Sequence, residues 1–438
     1  MLRRHRLTIS ALIAGITMAL APSAASAGWG PVLQPAASAN PSETALSVDG
    51  RGDVGAMWLQ GYGRTVTLRA TVKIAGRPAA VRTLRRARDR AIVGLASVLD
   101  RRGEFTVAWV ERASTRGLLH GPITVRAAFR TPSGRWSAVQ TISRTSAFAS
   151  AQPQLAAAPD GTVALVFNAG IRSAPGMGVA WRRAGRPFGR LGSVPTGRSY
   201  VQEPTLVFDL TGRAFLSGIA GCDDEQRSAG VLLTATVRSR RFGPERTVAP
   251  APATHLRFVL TGDGRALAAW IGAGCSTTED LSGPVRAATL VDDAVGEPIN
   301  VSALPSRELR LSGGPAGGGE LSFTRFDSAS PDGEAVVARV APDGTITPPG
   351  RPADGWAAVT GDRAGDQLVV PARAAGFGPP TALGARPAAA STVEPSPLQG
   401  PSFFVTAGAP DGRALAAARP VGRALGIAVW RPSTSGPR

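Results

Sequence analysis

The segment Gly52–Trp58 reads GDVGAMW, and three later segments repeat its plan: GEFTVAW at 103–109, GTVALVF at 161–167 and GRALAAW at 264–270. In all four, a glycine begins the segment, alternating apolar residues follow, and an aromatic residue lies six positions after the glycine. A glycine turn before an alternating apolar run predicts a tight hairpin followed by a strand. The aromatic residue is predicted to lie at a strand end and to cover the gap between neighbouring sheets.

The same pattern continues in weaker form along the rest of the chain. Further copies begin at Gly212, Gly319, Gly365 and Gly412, so that successive copies are about 50 residues apart. A period near 50 that is built from short strands is typical of one blade of a β-propeller. The sequence therefore predicts an all-β protein with a single β-propeller.

A second element follows the copies and completes the predicted blade. It is an aromatic residue beside glycine or serine, as at Trp136, Phe188 and Phe242, with Val295 in its place in a degraded copy. Each blade is thus expected to have four strands, and for the third blade we expect them at 154–158, 163–168, 179–183 and 190–194. About eight blades are predicted, with seven as the alternative because residues 354–400 fit the repeat poorly.

The two ends of the chain carry complementary parts of one blade. The stretch GWGPVL at 28–33 matches the element that precedes a fourth strand, and GIAVW at 426–430 matches a third strand with no fourth after it. We therefore expect the N-terminal strand to join the last blade and close the ring, which removes two open sheet edges.

The first residues predict export. Arg3, Arg4 and Arg6 precede the apolar run Leu7–Leu20, and small residues follow up to Ala27. This order is that of a signal peptide, predicted here as 1–27. Residues 28–438 are then predicted to be one propeller domain with a disordered tail at 432–438. The mature protein is expected to be extracellular, without a membrane span.

Composition supports the β assignment and narrows the partners. The chain of 438 residues holds 53 glycines and 36 prolines, which is too many for helices of ordinary length, and only 5% aromatic residues. The formal net charge is +18, and Lys73 is the single lysine beside 48 arginines. Such an excess predicts weak, salt-sensitive adhesion to polyanions. Without interleaved aromatic and basic residues, nucleic acid is not expected as a dedicated partner.

In period and strand order the chain resembles bacterial secreted β-propeller repeat proteins of the broad sialidase-like and WD-repeat-like kind. The likeness covers essentially the whole chain after the signal peptide. It implies the propeller architecture and carries over no functional residue.

Common reactive sites are not recognisable in the sequence. The single lysine lies outside any phosphate-binding Gly-Lys loop, and there is no Gly-x-Ser-x-Gly motif. After the signal peptide only His120 and His255 remain, which is too few for a histidine metal site. We therefore predict no cofactor and no metal.

Two loops are predicted to meet on one face of the propeller. Cys222 and Cys275 occupy equivalent positions in adjacent blades, and in an oxidising compartment they are predicted to form a disulfide, the alternative being two free thiols. The same loops hold the densest acidic group of this basic chain, a candidate binding patch or else solvated loop charge. Its members are Asp223, Asp224, Glu225, Glu279 and Asp280.

Weak catalytic candidates and a basic run complete the set of sites. Tyr200 and Glu203, with Asp224, are the candidates for glycosidic chemistry, because paired carboxylates or a tyrosine–glutamate pair serve such reactions. Between the first and second blades, Arg85, Arg86 and Arg88 are candidates for gripping an anionic polymer, the alternative again being solvated loop charge.

Three functions are compatible with these residues. The first is a non-catalytic secreted propeller that presents loops to a protein or an extracellular polymer. The second is a glycan-cleaving, sialidase-like propeller enzyme that uses carboxylates such as Glu203 and Asp224. The third is adhesion to polyanions through bulk positive charge.

Overall fold

The computed structural model describes 23 segments of the chain and consists of strands, turns and loops. In the described part no helix is long and apolar enough to span a membrane. The described residues are 28–29, 41–61, 65–74, 77–88, 90–113, 123–145, 153–171, 174–196, 201–221, 228–261, 264–273, 282–291, 294–313, 318–327, 330–350, 356–361, 367–373, 376–377, 381–383, 394–395, 405–408, 414–421 and 424–431.

The strands follow one another along the chain with short connections. In order they are β1 (Gly28–Trp29), β2 (Pro41–Val48), β3 (Val54–Gln60), β4 (Thr65–Ile74), β5 (Arg77–Pro78), β6 (Arg82–Arg88), β7 (Arg90–Leu99), β8 (Phe105–Ala113), β9 (Ile123–Arg130), β10 (Gln140–Thr145), β11 (Gln154–Ala157), β12 (Val163–Ile171), β13 (Ala174–Arg182), β14 (Gly192–Val194), β15 (Val201–Phe208), β16 (Arg213–Ala220), β17 (Ala229–Thr236), β18 (Arg246–Ala249), β19 (Thr254–Leu260), β20 (Ala266–Ile271), β21 (Gly283–Val291), β22 (Ala294–Val295), β23 (Ile299–Gly313), β24 (Gly319–Asp327), β25 (Ser330–Val340), β26 (Ile346–Gly350), β27 (Trp356–Gly361), β28 (Gln367–Arg373), β29 (Gly376–Phe377), β30 (Thr381–Leu383), β31 (Glu394–Pro395), β32 (Val405–Gly408), β33 (Leu415–Val421) and β34 (Ala424–Arg431).

All strand pairs are antiparallel, and most sheets are simple meanders. The sheet β11–β14 shows the plan: its strands pair in chain order, with Val163 opposite Arg182 in the central pair. These four strands lie where the repeat predicted them, with shifts of a few residues at their ends. The sheets β7–β10 and β15–β18 have the same order.

The prediction of about eight separate four-stranded blades, or seven, is wrong in that form. The described strands make seven hydrogen-bonded sheets, of which four have four strands, two have five and one has eight. The eight-stranded sheet arises because the 15-residue strand β23 is continuous. Its first part pairs with β21, as Ser302 does with Val285, and its second part pairs with β24, as Leu311 does with Leu321. One strand therefore joins two four-strand units.

The first strands of successive units lie side by side. Each contacts the first strand of the next unit, from β2 through β7, β11, β15, β19, β23 and β27 to β32, and β32 contacts β2. At the chain ends, Gly28 pairs with Arg431 and Trp29 with Trp430, so that β1 lies in the same sheet as β32–β34. The architecture is a single all-β propeller.

The core lies between neighbouring sheets rather than in one central volume. The second strand β20 is buried along its whole length, because both of its faces are covered by sheets. The four aromatic residues of the repeat are fully buried, and each packs with residues of its own and the preceding sheet. They cover the gap between sheets as predicted, but they lie within their strands and not at the predicted strand ends. They are Trp58, Trp109, Phe167 and Trp270.

The basic run Arg82–Arg88 is a strand and not a loop. It forms β6, which pairs with β4 at the outer side of its sheet. The alternating exposure of this strand leaves Arg86 and Arg88 exposed, while Ala87 between them is buried. Charge at such an outer strand discourages pairing with another sheet edge.

Candidate functional site

Three consecutive first strands carry a charged residue in an unusual backbone conformation. Glu203 in β15, His255 in β19 and Glu308 in β23 have φ of +46°, +50° and +56°. Each lies at a β-bulge where the pairing register shifts, near the strand start for Glu203 and His255 and in the second part of β23 for Glu308. Non-glycine residues rarely adopt positive φ, and where they do the strain is often part of a functional site.

Ion pairs connect these bulges from one unit to the next. The Glu203 carboxylate accepts from His255 through Oε1, which lies 3.0 Å from Nδ1, and from Arg257 through Oε2, which lies 2.5 Å from Nη1. Arg257 also donates from Nε to the backbone oxygen of Leu309 at 3.0 Å. Arg257 thus bridges β15 and β23 across β19, and most of its guanidinium is committed to protein partners.

These partners decide the charge of Glu203. Burial alone would raise its pKa, but the hydrogen bond from His255 and the positive charge of Arg257 outweigh burial and lower the pKa from 4.5 to about 2. Glu203 is therefore a carboxylate at neutral pH. In that state it can accept protons or hydrogen bonds but cannot serve as a general acid.

Glu308 and Arg310 extend the charged group along β23. Thr324 donates from Oγ1 to Oε2 of Glu308 at 3.1 Å. Partial loss of hydration lowers the pKa of Arg310; the Glu308 carboxylate opposes this effect, and the charge of Arg257 adds to it. Two guanidinium groups are thus close enough to repel each other. We name the group of Glu203, His255, Arg257, Glu308 and Arg310 the channel-mouth cluster.

The corresponding bulge in the first sheet, in β2, also carries a carboxylate that contacts the next unit. Glu43 lies at the β2 bulge, and its carboxylate accepts hydrogen bonds from the backbone N–H groups of Gly94 and Leu95 at the bulge of β7. A bulge carboxylate thus also joins neighbouring units through backbone N–H groups. The channel-mouth cluster differs from it in bringing two arginines and a histidine to the bulges.

A cavity of about 230 Å³ lies at the opposite ends of the first strands. Its walls are the last residues of β2, β7, β11 and β15 together with part of β32, and they are mostly apolar. Asp100 lines this cavity, and Oδ2 of its carboxylate has no hydrogen-bond partner, while Oδ1 accepts from the N–H groups of Arg102 and Glu104. Burial raises the pKa of Asp100, although these hydrogen bonds oppose the rise.

The structure separates the predicted site residues into two groups. Glu203 and the three arginines are described, and Arg85 makes an ion pair with the buried Glu111, from its Nε to Oε1 at 2.9 Å, beside Arg126 at 2.8 Å. Arg85 is therefore held by protein, whereas Arg86 and Arg88 are exposed. The remaining candidates lie outside the described residues: Tyr200, Cys222, Asp223, Asp224, Glu225, Cys275, Glu279 and Asp280.

The sequence contained a signal for the cluster that its local motifs did not reveal. Glu203, His255 and Glu308 are 52 and 53 residues apart, which is one repeat, so they are equivalent positions in three successive units. Aligning the repeats by polar residues as well as by glycines would have brought them together. Within the described residues, no group of three or more His, Cys, Asp or Glu side chains is placed to hold a metal ion.

Comparison with known proteins supports the fold and leaves the activity open. No family model and no curated protein matches the chain. Among solved structures, an ulvan lyase bound to a -[GlcA(1-4)Rha3S]- unit has 8% identity and a TM-score of 0.51, covering 76% of this chain and 91% of that chain. The NanB sialidase of Streptococcus pneumoniae has 7% identity and a TM-score of 0.41, covering 70% and 68%. The β-propeller domain of the Trilobed protease of Pyrococcus furiosus has 9% identity and a TM-score of 0.43, covering 78% and 92%. The chain is a β-propeller whose structural neighbours are sialidase-like and other propeller proteins.

Proposed function

We propose that the protein is exported and binds an anionic extracellular polymer at the channel mouth, with Arg310 as the residue that receives the anion. The observation that carries this proposal is the exposed Arg310 next to Leu309, whose backbone oxygen accepts from Arg257, at a group of strained backbone positions. A carboxylate or sulfate bound by Arg310 would offset the repulsion from Arg257. Arginine suits this role because its planar donors match such oxyanions.

Three further parts of the proposal concern the scaffold. The signal peptide 1–27 directs export, and a disulfide between Cys222 and Cys275 holds the acidic loops together. The first strands form a ring, and β1 closes it. The succession of first-strand contacts and the pairing of β1 with β34 support the last two statements.

A binding experiment with residues 28–438 tests the proposed function. A glycan and polyanion array is read at about 0.1 M and 1 M salt, because high salt screens exposed charges. We expect wild type to retain a carboxylated or sulfated glycan at high salt and Arg310→Gln to lose it by about tenfold or more.

The matched control is Arg86→Gln, which removes an exposed arginine from β6, away from the channel. This variant should bind like wild type at high salt. Two results would favour adhesion through bulk positive charge instead. The first is that wild type and both variants lose all binding at high salt. The second is that Arg310→Gln and Arg86→Gln weaken binding equally at low salt.

Cleavage of the glycan is the second candidate function, and the Glu203–His255 pair is the observation that favours it. With Nδ1 of His255 directed to Glu203, Nε2 can act as a base toward a bound sugar. In an eliminative cleavage, Nε2 would take the C5 proton of a uronate and the C4–O4 bond would break. A C4=C5 double bond would form, and the departing oxygen would take a proton from water. Hydrolysis is less suited to this site because Glu203 is too acidic to protonate a leaving group.

Turnover is measured on the glycans that the array identifies. New reducing ends or unsaturated products that disappear in Glu203→Gln would establish cleavage and overturn a purely binding function. If the glycan binds and no product forms, the purely binding function stands.

A further inference from the structure

Next to the channel-mouth cluster lies a partly exposed aromatic side chain that the proposed function does not use. Phe326 is half-buried near the end of β24. The guanidinium carbon of Arg307 lies over its ring, 5.1 Å from the centroid. Arg307 itself pairs with Thr324 across the strands, so that Phe326 is its diagonal neighbour.

The same face of β24 connects Phe326 to the charged group. Thr324 lies opposite Arg307, and the Arg307 guanidinium lies over the Phe326 ring, so Thr324 and Phe326 lie on the same face of β24. Thr324 is the residue that donates to Glu308. One strand face thus leads directly from the channel-mouth cluster to an aromatic ring.

An exposed apolar segment lies close to this place along the chain. Leu304 is 39% exposed, and its neighbours Ala303 and Pro305 in β23 are exposed as well. This segment lies three residues before Arg307, where β23 crosses from one four-strand unit to the next. Aromatic and apolar surface beside an anion-binding group is a combination that suits a sugar ring, which has both apolar C–H faces and charged substituents.

We propose that Phe326, stacked with Arg307, forms a second subsite for the sugar unit next to the one whose anionic group binds Arg310. This inference rests on the proposed function and specifies its ligand as an anionic polysaccharide of several units. A single charged sugar would reach only Arg310, whereas a longer chain would also cover Phe326. Affinity should therefore increase with chain length up to the point where both subsites are filled.

The test is a length series of oligogalacturonates, from the monomer to the hexamer, titrated calorimetrically into residues 28–438. Wild type should bind the longer oligomers about tenfold more tightly than the monomer. Phe326→Ala should abolish this gain and leave the affinity for the monomer unchanged. Phe326→Leu keeps an apolar side chain without the flat ring and should lose most of the gain as well.

The outcomes separate this inference from the function on which it rests. If wild type gains affinity with length and both Phe326 variants gain it equally, the second subsite is excluded while anion binding stands. If wild type binds no oligomer, the proposed function and the subsite fail together. A melting temperature of Phe326→Leu close to that of wild type shows that the loss of affinity does not come from unfolding. If both Phe326 variants also lose affinity for the monomer, the assignment of Phe326 to a separate second subsite is overturned.

Discussion

Glu203 illustrates how much a residue's role depends on partners that are distant in sequence. The sequence singled it out because of its neighbour Tyr200, as part of a pair suited to glycosidic chemistry. The structure joins it instead to His255 and Arg257, more than fifty residues away, and these partners keep it ionised. Its chemistry is therefore that of a permanent anion that orients a histidine.

The pH dependence of stability tests this ionisation. The pKa of Glu203 is depressed in the folded protein, from 4.5 to about 2. A depressed pKa contributes stability that is present above pH 4.5 and is lost as pH falls toward 2. We expect chemical denaturation to show that the free energy of unfolding falls more steeply over this range in wild type than in Glu203→Gln.

The size of this difference should be modest, because Glu203 is 38% exposed and solvent screens its ion pairs. Above pH 5 the variant should be the less stable of the two proteins. Parallel curves for the two proteins between pH 4.5 and pH 2 would contradict the assigned ion pairs.

At the scale of elements, the hairpins between first and second strands use the same type of turn. The sequence predicts a tight hairpin at the glycine that begins each repeat, and in the first repeat this glycine, Gly52, has a φ of +74°. In this turn the N–H of Gly52 donates to the oxygen of Asp49 at 2.8 Å, and the Asp49 carboxylate accepts from the N–H groups of Arg51 and Asp53. Asp49 caps a longer turn, which is why aspartate precedes the glycine by three residues here.

Gly264 allows the backbone requirement of this turn to be measured by itself. Its φ is +86°, and a Cβ placed on it would meet no atom within 4 Å. Gly264→Ala should therefore lower the free energy of unfolding by about 1 kcal/mol through left-handed strain alone. Gly176→Ala is the matched control, because that glycine has equal space and no positive φ.

Denaturant unfolding of the two variants checks this expectation. Gly176→Ala should stay within about 0.5 kcal/mol of wild type. Equal losses in the two variants would show that the positive φ of Gly264 does not matter to stability.

For the whole molecule, the contact between the two chain ends is the decisive feature. Only two residues of β1 pair with β34, yet β2 also contacts β32 and β33, and the apolar side chains of both sheets form one cluster. If β1 closes the ring, removing it leaves β34 with an open edge, and open edges promote association between molecules.

Truncation tests this proposal for the ring. A protein that begins at Pro41 should melt at least about 2 °C below the protein that begins at Gly28. It should also form more oligomer in size-exclusion chromatography. Deletion of 432–438 is the control, since it leaves the pairing of Gly28 with Arg431 intact; identical behaviour of both truncated proteins would argue against closure by β1.

The sequence by itself determined the all-β class, the repeat of about 50 residues, the four strands of the third unit and the buried aromatic residues. It could do so because these features depend on local turn chemistry and on the alternation of apolar residues, which are both visible over seven to ten positions. The fusion of two units through β23 needed the tertiary structure, because strand continuity depends on pairing with two neighbours at once. The channel-mouth cluster needed it too, since charges from successive repeats meet only when their first strands lie side by side.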